Sequence, residues 1–163
     1  MKSLFFVFVL SLPLLGQQAV QLSLAPIRAE AKMAFTAEMD RAAKGDCPNQ
    51  VTSAEIDACY KTALLQSRSN LNAFRSAIRM SIQARERLFP PLMLKDFEAS
   101  EQAWDRYSAT QTQVTADMVD NPEDKSSSAA ATEIGLIRSH LRDLDKIYNI
   151  LLHNNCGACL ADQ

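Results

Sequence analysis

No proline or glycine occurs from Thr52 to Phe89. Over that span apolar or small side chains return at helical intervals: Ile56, Tyr60, Ala63, Leu64, Ser67, Leu71, Phe74 and Ile78. A stretch without breakers and with one apolar stripe has a single economical solution, an amphipathic helix of about ten turns with one buried face. Its start is marked by Thr52 and Glu55, a T-x-x-E capping box. The hydroxyl accepts from the backbone N–H of Glu55, and the carboxylate reaches back to the N–H of Thr52. Glu55 and Asp57 also place negative charge at the positive end of the helix dipole.

The rest of the chain follows the same rule. Pro26 to Lys44 carries a weaker stripe, Ile27, Ala31, Ala34, Phe35, Met39 and Ala42, with Gly45 placed as a left-handed cap. Pro90-Pro91 ends the long helix, and Leu94, Phe97, Trp104, Tyr107, Val114 and Met118 predict a third, running to about Val119. Asp120 to Ser128 is a polar connector with an Asn-Pro turn. The last stripe, Ile134, Ile137, Leu141, Leu144, Tyr148 and Leu151, alternates steps of three and four. It reads as a seam that needs helix partners, internal to the fold or at a homo-oligomer contact. With few glycines and many strong helix formers, the prediction is an all-α antiparallel bundle of three to four helices, stabilised by disulfides.

Met1-Lys2 and the apolar run after them read as a secretory signal peptide, too short for a comfortable membrane span. It is expected to end near residue 19, with an alternative end at 31, leaving one domain over 20–163 and no stable membrane anchor. Export to the periplasm or medium makes oxidised cysteines the expectation. Cys47, Cys59, Cys156 and Cys159 allow three connectivities, and the residues alone do not choose. A Cys47–Cys59 bridge would clamp the incoming loop onto the long helix, worth roughly 3 kcal/mol in the chain-entropy model. Cys156 and Cys159 form a C-x-x-C with His153 just before it, which admits a structural, a metal-binding or a redox reading. The structural one is preferred, with no metal or other cofactor expected.

A family resemblance lies in the first half. Cys47, then Glu55-Ile56-Asp57-Ala58-Cys59, then Leu71-Asn72 with Phe74 in an aromatic place resembles the N-terminal domain family of the lysozyme inhibitor LprI. Arg68 stands where that family usually has Asp. Glu101, Trp104 and Tyr107 follow its later pattern, but Ser108 replaces an Arg and Thr112 a Cys, so the family's second disulfide has no place here. The similarity covers about 47–112. It implies a Cys47–Cys59 bridge, leaving Cys156 with Cys159, and it implies an inhibitor that binds a lysozyme-type muramidase.

Two charged features are candidates for such binding. Lys61, Arg68, Arg75 and Arg79 share one face of the long helix and could meet the carboxylates of a muramidase cleft. Asp120, Glu123 and Asp124, in the polar connector, could meet the rim of a basic enzyme. A net charge of −2 gives no reason to expect nucleic acid. No nucleophile elbow, zincin helix, phosphate loop or calcium loop occurs, and the carboxylates look scattered, so a binding protein is expected rather than an enzyme. The alternative is a periplasmic structural or adaptor protein acting through its helix seams.

Overall fold

A computed structural model describes residues 25–84 and 93–153. Four helices make up the fold: α1 (Ala25–Lys44), α2 (Ser53–Gln83), α3 (Met93–Met118) and α4 (Lys125–His153), with a 3-10 turn at Pro122–Asp124. There is no strand among the described residues, and the all-α bundle is the observed class. No described helix is long and apolar enough to cross a membrane. The expected leader, the expected break at Pro90-Pro91 and both C-terminal cysteines lie outside the described residues, as does the side chain of His153.

The local signals hold where they are described. Thr52 and Glu55 form the reciprocal capping box, with Glu55 Oε2 accepting from the Thr52 N–H at 3.0 Å. Gly45 sits at φ +80°, the left-handed conformation that ends α1 at low steric cost. Cys47 and Cys59 are bonded, tying the α1–α2 loop to the second turn of α2.

Side-chain pairings give the directions of the helices. Glu38 meets Asn70 while Phe35 meets Phe74, so α1 and α2 run antiparallel. Arg75 meets Glu101 while Arg79 meets Glu98, so α2 and α3 do as well. Helices α2 and α4 form the central pair, with α1 and α3 flanking it and not touching one another. The core joins Leu71, Phe74, Ile78 and Ile82 of α2 to Ile137, Leu141, Leu144, Tyr148 and Leu151 of α4. Phe74 packs edge-on against Tyr148, with centroids 5.6 Å apart. The seam of α4 is therefore internal, covered by its own bundle.

Helix α3 corrects the expected stripe. Its buried residues are Phe97, Glu101 and Ser108, with Leu94 and Trp104 partly buried against the core. Tyr107, Val114 and Met118 are exposed. At about 100° per residue these three lie roughly a quarter turn from the buried row. The polar Glu101 and Ser108 hid the true facing row, because a hydrophobic pattern does not count a carboxylate whose burial an ion pair offsets.

Candidate functional site

The four basic residues of α2 do not form an open cationic surface. Lys61 pairs with Asp57 one turn away, at 2.6 Å. Arg68 forks onto Glu133 of α4 with two bonds of 2.7 and 2.8 Å. Arg75, only 13% exposed, binds Glu101 and, at 2.8 Å, Asp105 of α3. Arg79 pairs with Glu98 at 3.2 Å. Three of the four thus fasten α2 to its neighbours.

Two polar clusters are buried in the bundle, and sequence reasoning found neither. The first joins α1, α2, α4 and the disulfide loop around Glu38, which is 0% exposed. Glu38 Oε1 accepts from Ser67 and from Arg138 Nε, both at 3.0 Å, and from Arg41 at 2.5 Å; its Oε2 accepts from Asn70 Nδ2 at 2.9 Å. Arg138 also grips Asp46 through two bonds of 2.8 and 2.6 Å, and Arg41 donates to the same carboxylate. Glu38 and Asp46 are thus carboxylates brought together by tertiary structure, contrary to the scatter read from the sequence. Burial pushes the Glu38 carboxyl up. The hydrogen bonds from Arg41, Asn70 and Ser67 and the Arg41 charge more than reverse this and leave it below the usual carboxylate range.

The second cluster lies between α2, α3 and α4. Glu101 contacts His140 Nε2 at 2.9 Å and binds Arg75. The His140 ring stacks on Trp104 at 4.3 Å between centroids, and the Arg75 guanidinium lies 5.1 Å over the same indole. Trp104 is thus occupied as an internal platform. Burial pushes the Glu101 carboxyl up, and the bonds and charges of His140 and Arg75 hold it lower than usual on balance. A carboxylate orients the imidazole here, but no Ser, Thr or Cys among the described residues hydrogen-bonds that ring. No group of three or more His, Cys, Asp or Glu among the described residues is arranged to hold a metal. The only available signal for either cluster was a polar residue in phase with an apolar stripe: Glu38 four after Ala34, and Glu101 four after Phe97.

The acidic connector differs from the basic face in being unpaired. Asn121 caps the 3-10 turn, accepting from the Glu123 N–H at 3.2 Å and donating to Asp124 at 2.8 Å. Asp120 and Glu123 are exposed, and neither they nor Asp117 nor Asp124 has a cationic partner among the described residues. From Tyr107 to Asp124 the chain has four acids and no basic residue. Tyr107, Val114 and Met118, at 53, 45 and 79% exposure, run down the adjoining face of α3 to this turn.

No family model, curated protein or solved structure matches the chain.

Proposed function

We propose that the protein is an exported binding protein whose contact surface is the acidic end of α3, and that it blocks a basic partner. The partner class suggested by the resemblance over 47–112 is a lysozyme-type muramidase. The observation that carries the reading is the coincidence of exposed Tyr107, Val114 and Met118 with four acids that have no cationic partner among the described residues. Exposed apolar side chains beside charge of one sign suit an interface in which the apolar part supplies affinity and the charge steers encounter. A second copy of the chain is a poor occupant, because it would set acid against acid. For the adaptor alternative the α4 row is internal, which leaves the exposed α3 row as the helix face for its contacts. The Cys47–Cys59 bond fits an oxidising compartment and supports export. Inhibition of this kind needs no catalysis, only occlusion of the partner's cleft.

The test is lysozyme-catalysed lysis of peptidoglycan with and without the purified, oxidised protein. Dose-dependent inhibition near stoichiometry is expected. The triple variant Asp120→Asn, Glu123→Gln, Asp124→Asn should weaken it about ten-fold or more and flatten its salt dependence. Unchanged inhibition by that variant would refute the acidic surface, and no inhibition of any lysozyme type would refute the muramidase reading.

A further inference from the structure

A depression of ≈ 490 Å³ opens between α1, α2 and α4. It lies on the α1 side of the central pair, whereas the acidic surface lies on α3. Its volume falls within the range of small-molecule sites. Phe35, Phe74, Tyr148 and Leu152 give it an aromatic and aliphatic lining, while Arg28 and Lys32 of α1 stand beside it.

The charges beside the depression bear on the chemistry of an occupant. Arg28 and Lys32 have no acidic partner among the described residues, although one turn of helix places them together. The carboxylate on this wall, Asp145, accepts a hydrogen bond from Asn149 at 3.1 Å. The hydroxyl of Tyr148 is buried and has no hydrogen-bond partner among the described residues, in a residue only 5% exposed. Its oxygen is shut off from solvent, so only the ring of Tyr148 contributes to the lining.

We propose that this depression binds a free amphipathic carboxylate, a medium-length fatty acid in its simplest form. The chain lies on the Phe35, Phe74 and Leu152 lining. The carboxylate answers the Arg28 and Lys32 charges. A purely apolar molecule would leave the cations as they are. The site is independent of the muramidase reading, and its variants should leave lysozyme inhibition unchanged.

Isothermal titration of the purified, oxidised protein with decanoate below its micelle concentration is the test, with decanol as the uncharged counterpart. Saturable one-to-one binding of decanoate is expected, with decanol at least about ten-fold weaker. The double variant Arg28→Glu, Lys32→Glu changes only exposed side chains and should weaken decanoate about ten-fold or more. Thr36→Trp, also at an exposed position of the lining, should block the mouth. No saturable binding, equal affinity for decanol, or binding unaffected by the charge reversal would each overturn the proposal. So would co-sedimentation with phosphatidylglycerol vesicles in the absence of decanoate binding, which would point to a membrane surface instead.

Discussion

Glu38 shows most directly what one side chain does in this bundle. It is a fully buried carboxylate with donors from Ser67, Asn70, Arg41 and Arg138, so three helices converge on it. Removing one partner of a buried ionic network leaves the others desolvated and uncompensated. Glu38→Ala should therefore cost about 3–5 kcal/mol in urea unfolding. A loss below about 1 kcal/mol would mean that Asp46 alone satisfies both arginines. Lys61→Ala, at an exposed lysine paired within its own helix, should change stability little. Glu38 was missed in the sequence because hydrophobic periodicity assigns a carboxylate to the outside, and its partners lie as far along the chain as Arg138.

Among the elements, α1 is more firmly built in than its weak stripe implied. Ile27 and Ala31 are part of the core, and Glu38 and Arg41 anchor the helix at its other end. A leader cut at residue 31 would remove Ile27 and Ala31, whereas a cut near residue 19 would leave α1 whole. If the expected leader is removed, intact-mass measurement should show an N-terminus upstream of Ala25, leaving α1 whole. The disulfide holds the next element boundary. Replacing Cys47 and Cys59 together by Ser should lose about 3 kcal/mol of stability, read as a lower urea midpoint relative to the oxidised protein. The basic face of α2 acts at this scale too. Replacing Lys61, Arg68, Arg75 and Arg79 together by Ala should lower the melting temperature markedly, because three of the four join α2 to α3 or α4.

At the scale of the whole molecule the two buried carboxylate clusters lie on opposite sides of the α2–α4 pair, one toward α1 and the other toward α3. Both carboxyls are held below the ordinary value of 4.5 in the folded state. A depressed folded pKa means that the unfolded chain takes up the proton first. The stabilisation is complete well above pH 4.5, declines as pH falls below it and is lost once pH has passed through the folded pKa values. A pH series of thermal melts should show stability flat near neutrality and falling below about pH 4.5. In Glu38→Gln the part of that slope due to Glu38 should disappear. An unchanged acid slope in the variant would assign the acid sensitivity to other groups.

What the sequence determined by itself was local or periodic: an all-helical bundle of three to four helices, the Thr52 and Glu55 cap, the Gly45 stop, and the apolar faces of α1, α2 and α4. Each of these depends on residues within one or two turns of each other, where covalent geometry sets the spacing. The turn before α4 was legible for the same reason, since Asn121-Pro122 is a local signal, but the expected connector of 120–128 was too long: α4 already begins at Lys125. Tertiary structure alone decided which charges stay available. It took up Arg68, Arg75 and Arg79 in pairs with other helices and buried Glu38 and Glu101. It turned the α3 row so that Tyr107, Val114 and Met118 face outward, and it placed Arg28 and Lys32 beside an aromatic hollow. An ion pair between helices depends on how they pack and on the rotation of each about its axis, and no spacing within one segment encodes either quantity.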